Sequence, residues 1–278
     1  MVSGIDHLVI AVHDLDAARA RFDQLGFTVT PRALHPFGTA NALVQMGGSY
    51  IELLALNDVS RIPEPTEATF SFAAFNRDFL ARREGLSMLV LKSYDAEADR
   101  QRMAASGLRT YDIAHFERLA RGPDGVERKV AFSLAFTSSP MIDDAGFFSC
   151  QHHFPENFWR PEYQCHANGA ARVAGVRMVA QHPEEVAPFL CDFAGANEAR
   201  IAGESLSIAI GDDELIVLPT ADQTTPHFAA IEIAVADLDQ TERHLLTAHM
   251  PFERVGQTLV VPASASHGVD LVFSDRGR

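Results

Sequence analysis

Three places in this 278-residue chain set groups capable of acid–base or metal chemistry inside otherwise apolar runs. His7 lies in the run 4–12, Glu52 stands between Ile51 and Leu53 in the run 50–56, and the run 147–153 ends in Cys150-Gln151-His152-His153. A carboxylate among apolar neighbours is costly unless partnered, so Glu52 calls for a metal ion or an arginine. A histidine in such a run is either a hydrogen-bonded core residue or a ligand. If the runs are strands, alternation places Tyr50, Glu52 and Leu54 on one face. In the third run it places Phe148, Cys150 and His152 together, with Gln151 and His153 opposite unless a bulge exchanges the two sets. His166 could line the same site or cap a loop with Asn168, while His13 and His35 read as structural.

The elements that must position these residues follow from a repeat. Ala11-Val12-His13-Asp14-Leu15-Asp16 returns as Ala234-Val235-Ala236-Asp237-Leu238-Asp239, each time where an apolar run passes into an Asp-started amphipathic pattern. This is the signature of a repeated strand-plus-helix unit. The unit can be followed four times as β-α-β-β-β. The first copy has a strand at 4–12, a helix at 14–25 closed by Gly26, and strands near 27–32, 39–46 and 50–56. The second has a strand at 86–92, a helix at 95–106 closed by Gly107, a hairpin turning at 122–125, and a last strand at 147–153. The third runs from a strand at 173–180 through a helix with Pro183 at its first position to a strand at 214–218. The fourth has a strand at 229–235, a helix at 237–248, and strands near 258–262 and 269–273. The copies pair into two regions, 1–168 and 169–278. The stretch 57–85 stands outside the repeat. Its Pro63-Glu64-Pro65 marks a loop, and Phe72, Phe75 and Phe79 recur at helical spacing, as either a surface helix packed on the sheet or a flap over a cavity.

The four units, the opening Gly4-Ile5-Asp6-His7-Leu8-Val9 and the fourth strand Gly48-Ser49-Tyr50-Ile51-Glu52-Leu53 resemble the vicinal-oxygen-chelate superfamily of glyoxalases, bleomycin-resistance proteins and extradiol dioxygenases. Phe147-Phe148-Ser149-Cys150-Gln151-His152-His153, Trp159-Arg160-Pro161 and His166-Ala167-Asn168-Gly169-Ala170 are similar to its glyoxalase-like domain branch. The resemblance implies an α+β fold of tandem βαβββ modules forming two paired half-barrel sheets. It also implies a divalent metal held inside a cup by first- and fourth-strand residues: His7, Glu52 and, in the second unit, His152, with Cys150 at the position matching Glu52. Two histidines and a carboxylate suit Fe2+, Zn2+ or Mn2+. The first strand of the second unit offers only Ser87 or Met88. Two functions follow: a metal-dependent enzyme of lyase/isomerase or ring-cleaving dioxygenase type, with Glu52 as catalytic base, or a non-catalytic small-molecule-sequestering protein. In the third and fourth units Arg177, Ile216, Glu232 and Asp270 occupy the matching positions. They read as an internal ion pair in place of a metal, or else as an anion site, and the active half is the N-terminal one.

Composition narrows the partners. A net charge of -14 repels nucleic acid, and no apolar run reaches the roughly 20 residues of a membrane helix. Three cysteines without paired spacing argue against a disulfide framework. The expectation is a cytoplasmic protein, a candidate homodimer, whose partner is a small-molecule substrate. Dinucleotide, phosphate-loop and nucleophile-elbow motifs are absent.

Overall fold

In the computed structural model, which describes residues 4–222 and 225–275, the first sheet is built from β1 (Ile5–Ala11), α1 (Leu15–Gln24), β2 (Ala33–Leu34), β3 (Thr39–Met46), β4 (Ser49–Leu56), α2 (Phe72–Leu80), β5 (Gly85–Ser93), α3 (Ala96–Ala105), β6 (Arg109–Thr110), β7 (Ala114–Arg121), β8 (Glu127–Ser138) and β9 (Gly146–His152). A connector carrying the single-turn α4 (Pro155–Phe158) leads to the second sheet. That sheet comprises β10 (Ala170–Ala180), α5 (Pro183–Ala194), β11 (Arg200–Ala202), β12 (Ser205–Ile210), β13 (Asp213–Pro219), β14 (His227–Val235), α6 (Leu238–Thr247), β15 (Glu253–Val255), β16 (Thr258–Val261) and β17 (Asp270–Ser274).

The strand orders are β2-β3-β4-β1-β5-β9-β8-β6, with β7 also on β8, and β11-β12-β13-β10-β14-β17-β16-β15. Each sheet is mixed: β1 runs parallel to β4 and antiparallel to β5, as β10 does to β13 and β14. This is the α+β, paired-sheet architecture expected from the repeat.

Local chemistry explains the repeated Asp-Leu-Asp. Asp14 accepts hydrogen bonds from the amides of Asp16 and Ala17 at the start of α1, and Asp237 accepts from those of Asp239 and Gln240 at the start of α6. The following Leu15 and Leu238 are buried. The motif is therefore an N-cap joined to the first core residue of the helix. Gly26 and Gly107, which follow α1 and α3, take φ of 91° and 84°, the left-handed region that ends helices on glycine.

One apolar core holds residues from both sheets and from α1, α3, α5 and α6, so the sheets lie back to back with helices sharing the layer. Phe147 packs on Phe189, Phe193 and Phe228 across it. A second cluster, around Val9, Tyr50, Met88, Phe132, Phe136, Phe148 and Cys150, fills the opposite, concave face of the first sheet.

Two stretches differ from expectation. The strand near 27–32 is replaced by a two-residue β2, because Thr28 gives its amide to His166 Nδ1 and its hydroxyl to the Cys165 carbonyl, and Pro31 has no amide to donate. The 57–85 stretch carries α2, which packs Phe79 and Leu80 against Ala11 and sets Phe72 into the concave face. No helix among the described residues is long and apolar enough to cross a membrane.

Candidate active site

The concave face of the first sheet encloses a cavity of about 30 Å³. His7 on β1, Asn41 on β3, Tyr50 and Glu52 on β4, Phe116 and Arg118 on β7, and Phe148 and Cys150 on β9 line it, together with His35 and Phe72. His7 and Glu52, expected from the sequence to share a site, do so: His7 Nε2 lies 3.7 Å from Glu52 Oε2, both side chains being buried. The parallel register of β1 and β4 sets this up, since His7 pairs with Tyr50 and Val9 with Glu52. Tyr50 stacks on the His7 ring at 4.3 Å, holding its plane.

His152 lies beside this pair but is turned elsewhere. Its Nε2 is 3.2 Å from Asp6 Oδ2, the same oxygen that His7 Nδ1 meets at 2.7 Å. The rings of Tyr50, Phe132, Phe158 and Trp159 surround it. Its other nitrogen, Nδ1, is buried with no hydrogen-bond partner. Pairing of β9 with β8 is regular from Phe147 to His152, so no bulge exchanges the faces. Cys150 faces the cavity, while Gln151 accepts from the Ala96 amide and His153 bonds Ser133.

Asp6 is the residue that strict alternation conceals. In the pairing with β5, Ile5 meets Leu91 and His7 meets the adjacent Val90, so Asp6 is an extra residue in a bulge. A bulge re-aims side chains, and here it brings the Asp6 carboxylate onto the His7 ring. Burial alone would push the Asp6 carboxyl up. His152 and His7 more than reverse this and hold it well below the usual carboxylate range. Ligand atoms of Asp6, His7 and Cys150 lie within 4.8 Å of one another.

Glu52 has a different environment. Asn41 Nδ2 donates to it at 2.6 Å, His7 lies at 3.7 Å and His35 at 3.8 Å. Burial raises its pKa despite the countering His7 and Asn41. Burial likewise pushes the Cys150 thiol up and His35 down to about 3, so His35 is a neutral imidazole. His35, read from the sequence as structural, thus belongs to the cavity wall, bonded to Thr39 Oγ1 at 2.8 Å and near Asn41 Nδ2 at 3.2 Å. Arg118 was also missed. Strand β7 alternates half-buried with exposed residues, which turns Phe116 and Arg118 inward, a pattern visible in the sequence once the hairpin at 122–125 is taken as two long strands. His166 is a brace: Nδ1 accepts from the Thr28 amide, so Nε2 carries the proton and donates to the Gln45 carbonyl at 2.8 Å.

Residues 5–194 match the glyoxalase-like domain model. The chain belongs to the glyoxalase-like domain family. No curated protein matches it. Among solved structures, a hypothetical protein from Staphylococcus aureus is similar over 97% of this chain and 98% of that one, with a TM-score of 0.72 at 13% identity. A mutant 4-hydroxymandelate synthase from Streptomyces coelicolor is similar over 98% and 92%, with a TM-score of 0.57 at 10% identity. A xylose isomerase-like TIM barrel/4-hydroxyphenylpyruvate dioxygenase fusion protein is similar over 100% of this chain and 49% of its own, with a TM-score of 0.56 at 13% identity. At these identities the likeness is one of fold.

Within the glyoxalase-like fold, the second sheet holds a different set. Arg177 Nε is ion-paired with Glu232 Oε1, and Asp270 accepts from the Ala263 amide. Ile216 sits opposite Arg177 in the β10–β13 register.

Proposed function

We propose that this glyoxalase-like chain is a metal-dependent cytoplasmic enzyme acting in the cup of its first sheet. Its substrate is a small organic molecule with adjacent oxygens, and its chemistry is of the lyase/isomerase or ring-cleaving dioxygenase type. The observation that carries the reading is the approach of His7 Nε2 and Glu52 Oε2 to 3.7 Å inside an aromatic-walled cavity. One ion with bonds of about 2.0–2.2 Å can span that gap. The donor set fits Fe2+, Zn2+ or Mn2+: two buried carboxylates and two imidazoles share the cup, and His152 retains a buried nitrogen without a partner. His7, Glu52 and His152 would hold the ion, with the Cys150 thiol beside them.

Bound there, the metal would act as a Lewis acid on the substrate's adjacent oxygens. The chain's own residues do the rest. Asp6 takes the proton-bearing Nδ1 of His7 and leaves Nε2 aimed at Glu52, the carboxylate–histidine arrangement that orients metal ligands. Asn41 fixes the Glu52 carboxylate. With its raised pKa, Glu52 can accept a proton from the substrate whenever it is free of the ion. The surrounding phenylalanine rings give the site an apolar wall.

A second reading, a sequestering protein without catalysis, draws support from β5. Ser87 gives its hydroxyl to the Val9 carbonyl and Asn76, so this strand adds no fourth ligand. Metal analysis after incubation with each of the three ions separates the readings. Near-stoichiometric metal that disappears in folded His7→Ala and Glu52→Ala supports the enzyme. Wild-type protein that stays metal-free hands the cup to the binding function.

A further inference from the structure

The cavity opens outward into a vestibule of about 410 Å³, and Asn41, Leu43, Arg118 and Phe158 line both. Four arginines border the vestibule: Arg32, Arg118, Arg121 and Arg160, against one carboxylate, Glu127. In a chain with 23 basic and 37 acidic residues, that local reversal of sign is a concentration of positive charge at one opening. Their charges are only loosely held by neighbouring acids, Arg118 feeling that of Glu52 without bonding it. Arg32 bonds Asn57 and reaches Asp16 only at 4.0 Å, and Arg121 Nε donates to the Gly125 carbonyl.

Arg118 is the extreme case. It is half-buried at the junction of cavity and vestibule, yet its guanidinium forms no hydrogen bond or ion pair among the described residues, and its Nε is shut away from water without an acceptor. A buried donor left without an acceptor is costly, and the planar guanidinium fork matches the two oxygens of a carboxylate or phosphate. Phe116, two residues before it on the same face of β7, stacks with Phe132, so an apolar surface lies next to the vacant fork.

We propose that the molecule bound in the cup is an organic oxyanion, with its charged group taken by Arg118 at the mouth, its apolar body against Phe116, Phe132 and Phe158, and its uncharged end toward His7 and Glu52. Arg32, Arg121 and Arg160 raise the local concentration of such anions and steer them inward. The inference rests on reading the cup as a substrate site and does not depend on the ion.

Trp159, the sole tryptophan, provides the readout, since it lies 5.9 Å from Tyr50 and 6.1 Å from His152, ring to ring. Benzoate, phenyl phosphate and neutral benzamide are titrated by tryptophan fluorescence and calorimetry into chelator-treated and metal-loaded protein. At least one anion is expected to bind about tenfold or more tightly than benzamide in both preparations, and the tighter of the two identifies the oxyanion. Arg118→Met should remove that preference, and Arg118→Lys, which keeps the charge without the fork, should restore part of it. Three outcomes overturn the proposal: benzamide binding as well as the anions, no binding of any probe at about 10 mM, or a preference that survives in both Arg118 variants. A preference confined to metal-loaded protein and lost in His7→Ala would also overturn it, placing the anion on the ion. Metal-free wild-type protein that keeps the Arg118-dependent preference would sink the enzyme reading alone.

Discussion

The two sheets share one strand order, but their concave faces have diverged. In the first, the cup is roofed: α2, the β7–β8 hairpin and the connector after β9 cover it except at its vestibule, and His7, Glu52, Asp6, His152 and Arg118 lie in or beside it among packed rings. In the second, the matching face carries no added elements among the described residues, Ile216 stands near the Glu52 position, and Arg177 is paired with Glu232, the arginine side chain being about 33% exposed. Chemistry-bearing groups have collected where the face is covered. The face left open has settled its charges internally. The difference teaches that a duplicated sheet acquires a site through what covers it as much as through what it carries.

The sharpest break of this comparison is metal content. His7→Ala should take bound metal from about one ion per chain to none, and Arg177→Ala should leave it unchanged, as read by elemental analysis of folded protein. Loss of metal in Arg177→Ala would mean that the two faces are not independent. Next comes packing. Phe136, buried and stacked between Phe70 and Phe148, should cost about 3–5 kcal/mol when replaced by Ala, whereas Ile216→Ala on the open face should cost about 1 kcal/mol, both measured by denaturant unfolding. Equal costs would show the second face to be covered in solution.

A third test concerns the ion pair. Removing one partner of a fully buried pair costs about 3–5 kcal/mol, but water reaches Arg177, so Arg177→Ala should cost about 1–2 kcal/mol. The double change with Glu232→Gln should cost less than the two single effects added together.

The smallest expected effect is on pH. Burial lowers the pKa of His166 from its ordinary value near 6.5, so the unfolded chain binds the proton more readily than the fold does. Its contribution is complete above pH 6.5 and fades as pH falls below that. His35 acts in the same sense from the same upper limit, its contribution falling away until about pH 3. His166→Gln should therefore flatten, by a small amount, the loss of melting temperature between neutral pH and pH 5, and an unchanged slope would reject the assignment.

Much of the fold was legible because helix caps and strand periods are local: Asp14, Asp95 and Asp237 announce their helices, and the turn at 122–125 announces its hairpin. The facing of Tyr50 and Glu52 needed only alternation. What escaped depended on irregularity or distance. Asp6 is brought round by a bulge whose cause lies in the pairing with β5. His35 sits beyond a two-residue strand, where no period exists to count. Arg118 was hidden in the least regular unit, and its importance lies in having no partner, which a sequence cannot display. His166 acts on Thr28 and Gln45, more than a hundred residues away.

The back of the first sheet has its own dependency. Ile5 gives its amide to Asp213, Val173 gives its amide to Ser49, and Arg102 donates to the carbonyls of Asp192 and Phe193. Leu8, Ile10, Leu89 and Phe147 lie in the shared core against the second sheet. An excised N-terminal half would expose that apolar surface and would be expected to aggregate. The second sheet has become the dry backing that leaves its twin free to face a ligand on one side only.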